Sequence, residues 1–392
     1  MQAAFSDAVH NVTITGYGSG GEGVARLCDG KVVFVRSAAR GDVLEVKLTK
    51  EKPRSAYGEV CRILTASPHR IEPDCPYYPG CGGCDFRHIT YVEELDAKLR
   101  RINDALGRIG GLAAHVDGIL STGRPDGYRN KAVLHSDGES LGFYGAGSHM
   151  VIPIKRCALL KDDLNEVLER MASASGRGIS GGNLGANLGI AHELRSGKGE
   201  VMLRSGRNGI SPPLEEELDG LVFGISGFFQ VNTEAASLLY RKAREYAEMS
   251  PSETLLDLYC GVGSLTIFVG RDAGRALGVE INPDAIEAAR KNARRNGFSH
   301  IDFIAADAAQ WSDEAVKPDC IIVDPPRSGL SRDALRKILG LSPKRIVYVS
   351  CDPATLARDI RMLDGYSLIK ACAVDMFPRT ANVECCCLLN KR

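Results

Sequence analysis

LLDLYCGVGSLTIFVG, residues 255–270, reads as an apolar strand carrying Asp257, a turn on Gly261 and Gly263, and a helix entered at Ser264. Glycines in such a turn let the backbone approach a ligand, and open α/β sheets bind ligands at the carboxyl ends of their strands. Four further strand segments follow: RALGVE (275–280), IDFIAAD (301–307), DCIIVDPP (319–326) and RIVYVSC (345–351). Helical segments such as NPDAIEAARKNARRNG (282–297) and SRDALRKILG (331–340) lie between them. Strands this continuously apolar are buried on both faces, which predicts a parallel doubly wound sheet. With a strand pair after Leu368, residues 227–392 are expected to form a C-terminal α/β Rossmann-like domain.

Upstream the pattern changes. Within residues 1–66, HNVTITGYG, GVARLCDG, KVVFVRSA, GDVLEVKLTKEK and SAYGEVCRIL are short alternating stretches split by Gly and Asp turns. Five such strands predict a small OB-like β-barrel, an architecture that often carries RNA. An SH3-like binding barrel fits the same pattern. Residues 67–226 are expected to form a central α+β domain, opened by the Pro-, Gly- and Cys-rich SPHRIEPDCPYYPGCGGCDF (67–86), which marks a boundary or a metal site. Leu95, Leu99, Ile102, Leu106 and Ile109 recur at helical spacing, predicting a helix over Tyr91–Ile109 that is available to pack on the C-terminal domain. The Gly/Ser-rich stretch 173–189 is expected to be loop. No internal repeat is found.

A length of 392 residues suits two to three domains, and 44% hydrophobic with 25% charged residues is ordinary globular composition. No apolar run approaches the ~18 residues needed to span a membrane. The N-terminus has no basic segment leading into an apolar one. A cytoplasmic chain that is monomeric and engages no membrane is therefore expected. Zero formal net charge argues against a uniformly basic coat but leaves room for a local stripe. From Arg327 to Arg361, eight Arg or Lys stand against three Asp, fitting either a surface that tracks phosphates or two solvated helix faces. Thirteen cysteines in a reducing compartment are not a disulfide framework. Cys260, Cys320, Cys385, Cys386 and Cys387 read as buried small hydrophobes.

Two acids sharpen the ligand reading of the glycine turn. Glu280, closing RALGVE, is placed to accept hydrogen bonds from ribose hydroxyls, and Asp307, closing IDFIAAD, is placed beside an adenine. No third glycine completes G-x-G-x-x-G, which favours S-adenosylmethionine over a nicotinamide dinucleotide. Asp324 in DPPRSGL stands at the end of the fourth strand, near the methyl donor. A DPP-type motif also serves amino-group methyltransferases, which need no cysteine. Here Cys351 ends the fifth strand before a helix with Asp352 as N-cap and Pro353 as first residue. The positive end of that helix is expected to favour the thiolate.

The segments GFFQVN, DLYCGVG, GVE, DPPRSGL, YVSCDPATLARD and MFPRTANVE resemble, in that order, the RNA uracil-5 methyltransferases. The resemblance implies Cys351 as nucleophile towards uracil C6 and Glu384 as the base that removes the C5 proton. It aligns Gln230, Tyr259, Ser264, Glu280, Asp307 and Asp324 with positions that contact the cofactor or hold the site. Cytosine-5 enzymes usually present their nucleophile in a Pro-Cys dipeptide, which this chain lacks. Two positions depart from the family: Asn382 where His is frequent, and Ser264 where Asn is frequent. Neither is a reacting group, so only side-chain contacts are expected to differ.

Residues 18–46, with GSGGEGVAR, GKVVFV and ARGDVLEV, resemble the TRAM domain of RNA-modifying enzymes. Cys75, Cys81 and Cys84 form C-x5-C-x2-C, and Cys157 follows in IKRCALL. By spacing, four such thiolates suit a tetrahedral zinc or a [4Fe–4S] cluster. The arrangement downstream of a TRAM-like domain resembles the iron–sulfur branch of the family, which implies [4Fe–4S] in a structural or RNA-positioning role. That branch implies 23S rRNA as substrate, with tRNA the alternative; a non-catalytic RNA-binding or assembly factor is the rival of a different class. A uridine buried in folded RNA must be extruded for C6 to reach Cys351.

Overall fold

The computed structural model describes residues 9–392 apart from 114, 115, 117, 175–190, 196, 197, 211, 226 and 314. Its first unit comprises β1 (Val9–Thr13), β2 (Gly16–Tyr17), β3 (Gly23–Arg26), β4 (Val32–Val35), β5 (Val43–Glu51) and β6 (Ser55–Thr65). They form one sheet in the order β1-β5-β6-β4-β3-β2. The sheet is six-stranded rather than five-stranded because residues 14 and 15 interrupt the first stretch. It curls round Val12, Ile14, Val33, Val35, Leu44 and Val46, and the Thr15 amide closes it by donating to the Val24 carbonyl at 2.8 Å. Register shifts between β5 and β6 supply the bend. At their crossing a Cβ on Gly58 would lie 2.3 Å from Val46 Cγ1, so only glycine lets the strands close there.

After α1 (Tyr91–Arg108) and the short β7 (Ile119–Leu120) come β8 (Lys131–Asp137), β9 (Leu141–Tyr144), β10 (Val151–Pro153), α2 (Asp162–Ala174), β11 (Ala191–Arg195) and β12 (Lys198–Arg204). The order β10-β9-β8-β12-β11 makes an antiparallel sheet. Ala132 and Leu134 alternate inward on β8 and meet Leu164, Leu168 and Met171 of α2. From residue 175 on, the predicted Gly/Ser loop lies outside the described residues. A hairpin of β13 (Glu215–Leu218) and β14 (Leu221–Gly224) ends this region.

The largest sheet contains β15 (Thr254–Leu258), β16 (Arg275–Glu280), β17 (Ile301–Ala305), β18 (Cys320–Val323), β19 (Arg345–Ser350), β20 (Tyr366–Val374) and β21 (Glu384–Lys391). With β7 at one edge it has eight strands, ordered β17-β16-β15-β18-β19-β21-β20-β7. The strands β17 to β19 are parallel, as their apolar runs predict, and β18 is wholly buried. These parallel strands carry apolar side chains on both faces, so helices cover both. Helices α3 (Thr233–Ala247), α4 (Ser264–Gly270) and α5 (Pro283–Arg295) cover one face; α1, α6 (Arg332–Leu341) and α7 (Pro353–Met362) cover the other. Among the described residues, no helix is long and apolar enough to cross a membrane.

Two upstream pieces therefore join this sheet: β7 pairs with β20, and α1 packs on α7. The two-residue β7 carries no sequence periodicity, so only tertiary contact reveals it. α1 begins at the Thr90 cap, as its helical spacing predicts, and brings a buried cation to the sheet. Lys98, wholly buried, reaches Glu94 Oε1 and Asp375 Oδ1, both at 2.6 Å, and the Phe377 carbonyl at 3.1 Å. Burial pushes Glu94 up, and Lys98 opposes that shift. Lys98→Met should lower stability by about 3–5 kcal/mol, because two buried carboxylates lose their shared cation. Urea unfolding measures this; an unchanged midpoint would contradict it.

Candidate active site

The turn after β15 sets the cofactor end of the site. Tyr259, Gly261 and Gly263 all have positive φ, at 75°, 54° and 78°. The Tyr259 and Cys260 amides both donate to the Val279 carbonyl, tying the turn to β16. A Cβ on Gly263 would lie 2.7 Å from the Phe303 ring and 2.9 Å from Ala289, so a side chain is excluded by space as well as by φ. Glu280, at the end of β16, accepts from the Gly261 amide at 3.3 Å and the Asn282 amide at 3.0 Å. Asp307 lies beyond the neighbouring β17, half-buried, its carboxylate accepting from the Ala309 amide at 2.7 Å. Both predicted acids thus stand at the carboxyl ends of adjacent strands. Ser264 opens α4, buried, its hydroxyl 2.9 Å from Tyr240 OH. Gln230 is buried just before α3, and its carbonyl accepts from Asn130 at 3.1 Å.

The reacting end uses three neighbouring strands. Asp324 follows β18, Cys351 follows β19, and Glu384 begins β21. β19 pairs with β21 antiparallel, Ser350 opposite Cys385, so the first residue of β21 lies at the carboxyl end of β19. Glu384 is 5% exposed. Burial pushes its carboxyl well up, the Asp324 charge raises it further, and Arg327 opposes both. Asp324 is half-buried, yet the protein packed round it still raises its carboxyl. Asp257 is buried on β15, accepts from Thr266 Oγ1 at 2.6 Å, and is pushed up to about 8 by burial. The Tyr240 hydroxyl is raised by burial first, then by the charges of Asp324, Asp257 and Glu384.

One expectation about Cys351 is corrected. The helix start is present: Asp352 caps α7 by accepting from the Thr355 amide at 2.8 Å, and Pro353 is its first residue. The thiol is nevertheless pushed up to about 11, by burial first, then by Glu384, with Arg327 opposing and Asp324 adding. Desolvation and two nearby carboxylates outweigh the helix end, which its own Asp352 already partly neutralises. Resting Cys351 is a thiol. Local sequence does not mark Tyr240, Asp257 or Arg327 as site residues: Tyr240 lies at core spacing on a helix, and the other two lie inside LLDLYC and DPPRSGL with no local partner. Arg327 donates to Asn382 Oδ1 at 3.2 Å, at one of the two positions that depart from the family.

Cys75, Cys81, Cys84 and Cys157, all half-buried, line one cavity of about 310 Å³. The wall also includes Thr380 and Asn382, from the segment that leads into Glu384. Burial raises the Cys81, Cys84 and Cys157 thiols, Cys84 to about 12, while the buried Arg87 opposes the shift at Cys84. Among the described residues, no group of three or more His, Cys, Asp or Glu side chains is arranged to hold a metal ion.

Proteins that join such a sheet to such a glycine turn include the S-adenosylmethionine-dependent methyltransferases, and residues 255–340 match the pattern described as a methyltransferase domain. Residues 313–392, which contain both Cys351 and Glu384, match that of tRNA (Uracil-5-)-methyltransferase, and residues 8–61 match the TRAM domain. An uncharacterized RNA methyltransferase of Bacillus cereus is 33% identical, over 100% of this chain and 96% of its own length. One from Clostridium tetani is 32% identical over 96% of this chain and 95% of its own. The solved structure of the Pyrococcus abyssi tRNA (uracil-54, C5)-methyltransferase with S-adenosyl-L-homocysteine is 25% identical, with a TM-score of 0.74 over 97% of this chain and 100% of that one. The chain belongs to the RNA methyltransferases and is an RNA (uracil-5-)-methyltransferase dependent on S-adenosylmethionine.

In the free enzyme, Cys351 should alkylate slowly at neutral pH, because only the thiolate attacks iodoacetamide and displaces its iodide. Below the raised value of about 11, the rate should climb about tenfold per pH unit. Peptide mass spectrometry follows the labelling; rapid modification at pH 7 would contradict the protonated resting state.

Proposed function

We propose that this enzyme methylates C5 of a uridine in 23S rRNA through a Cys351–C6 adduct, with Glu384 as the base. The observation that carries this reading is the convergence of Cys351, Glu384 and Asp324 at one sheet edge. Cys351 gives its proton to solvent water as its sulfur bonds C6, and the displaced C5=C6 electrons form an enolate. When bound, S-adenosylmethionine supplies the methyl group that C5 then takes. Glu384 accepts the C5 proton, the C5=C6 bond re-forms, and the thiolate leaves C6. Glu384 must be ionised for that last step, and the cation of Arg327 favours ionisation. Glu280 would hold the ribose and Asp307 would lie by the adenine, with Gln230, Tyr259, Ser264 and Asp324 completing the cofactor site.

The preference for 23S rRNA rests on the combination of a TRAM domain with the four cysteines. A tRNA substrate is the second reading, favoured by the full-length likeness to the archaeal tRNA enzyme. In our division of the chain, residues 1–66 and 67–226 grip the RNA around the extruded uridine, and residues 227–392 carry the chemistry; the enzyme acts as a cytoplasmic monomer. Cys75, Cys81, Cys84 and Cys157 would hold a [4Fe–4S] cluster. The four thiols line one cavity, and the neighbouring Arg87 would offset the charge of thiolates there. With four protein ligands the cluster would be structural.

Mass spectrometry of 23S rRNA and tRNA from cells with and without the protein should show 5-methyluridine lost from 23S rRNA. Loss from tRNA alone selects the second reading. Cys351→Ala should form neither adduct nor product, whereas Glu384→Gln should trap methylated RNA as a shifted band on denaturing gels. Near-normal methylation by Cys351→Ala would overturn the covalent mechanism. Anaerobically purified protein should be brown and contain iron and sulfide; stoichiometric zinc without iron would refute the cluster.

A further inference from the structure

The cysteine loop and the segment before Glu384 are tied together by one residue. Asp85 directly follows Cys84, and its amide donates to the Arg379 carbonyl at 2.8 Å; the Phe86 amide shares that acceptor at 3.1 Å. In return, Asp85 Oδ2 accepts from the Ala381 amide at 2.9 Å. Between these contacts the backbone turns through Arg379, whose φ of 66° is a strained value for a side-chain-bearing residue. The same turn is held from the other side by α1: Glu94 Oε1 accepts from the Arg379 amide at 2.7 Å, and Arg101 donates to the Ala381 carbonyl at 2.8 Å. Glu384 lies three residues beyond Ala381.

We propose that Asp85 is a positioning residue for the Glu384 base: by holding the Ala381 amide it fixes the 379–383 turn and so aims the Glu384 carboxylate at C5. This rests on the reading of Glu384 as the base. Elimination alone needs that carboxylate, which takes the C5 proton while the C–H electron pair re-forms C5=C6 and the C6–S pair departs with Cys351. Attack by Cys351 and methyl uptake at C5 do not use it. Loosening the turn therefore slows the last step selectively, because a misplacement on the order of 1 Å can cost about a hundredfold in a step that demands close approach.

The test uses Asp85→Ala, which removes the acceptor, and Asp85→Asn, which keeps an amide oxygen in its place. The probe is an unmodified 23S rRNA or tRNA transcript, whichever the wild type methylates, with S-adenosylmethionine in rapid-quench single turnovers. Asp85→Ala should accumulate methylated covalent adduct and release product about 10- to 100-fold more slowly. Its rate of adduct formation and its affinity for S-adenosylmethionine should stay near wild type, and Asp85→Asn should restore release. Equal slowing of adduct formation and release, or no slowing of either, would overturn the proposal. If Asp85→Ala does not fold, Asp85→Ser, too short to reach the Ala381 amide, carries the same expectation. Glu384→Gln runs beside them: if it releases product freely, the base assignment fails, whereas trapping by Glu384→Gln without accumulation in Asp85→Ala sinks the positioning role alone.

Discussion

β21 runs against its neighbour β19, and the reacting end of the site depends on that reversal. In a parallel sheet, only residues that follow strands reach the carboxyl edge, as Asp324 and Cys351 do. A residue that begins a strand reaches the same edge only if its strand points the other way. β21 pairs with β19 and β20 antiparallel, bringing Glu384 beside the Cys351 thiol. The ladder also fixes the register. A slip of one residue would turn the Glu384 side chain to the opposite face of the sheet.

This placement concentrates carboxyl groups. Asp257 and Glu384 are buried, Asp324 is half-buried, and the Tyr240 hydroxyl feels all three. Nearby, Arg327 lowers both Cys351 and Glu384. Such a site suits a positively charged methyl donor better than a neutral one, because each carboxylate is costly until a cation shares the low-dielectric space. It also explains a protonated resting cysteine: the charges that favour the cofactor disfavour a second anion.

Segments far upstream hold the catalytic edge in place. Lys98 of α1 joins Glu94 to Asp375 at the end of β20, and Tyr91 OH donates to the other Asp375 oxygen at 2.5 Å. Arg101 reaches the Ala381 carbonyl and lies 3.7 Å from the Asp352 cap beside Cys351. Tyr128 OH donates to the Pro378 carbonyl at 3.0 Å. The 375–383 segment has little regular structure of its own, so its conformation is imposed by these side chains. The N-terminal barrel reaches the same helix: Arg40 pairs with Glu93 at 2.6 Å.

The sequence by itself determined the parallel strands, the glycine turn and the acids at the ends of β16 and β17, because periodicity, chain direction and glycine spacing are local properties. It also placed Cys351 at a capped helix start and singled out four cysteines that prove to share one cavity. Only the tertiary structure decided the rest. The two-residue β7 exists through its partner β20, and the sixth barrel strand appears because two residues break the first stretch. The helix end alone does not set the protonation of Cys351. Burial and the charges of Asp324 and Glu384, which lie 27 residues before it and 33 after it, set the outcome, and those distances become contacts only when the sheet forms. Tyr240, Asp257 and Arg327 belong to the site for the same reason: each is ordinary in its local context and acquires its role from charges that the fold brings near.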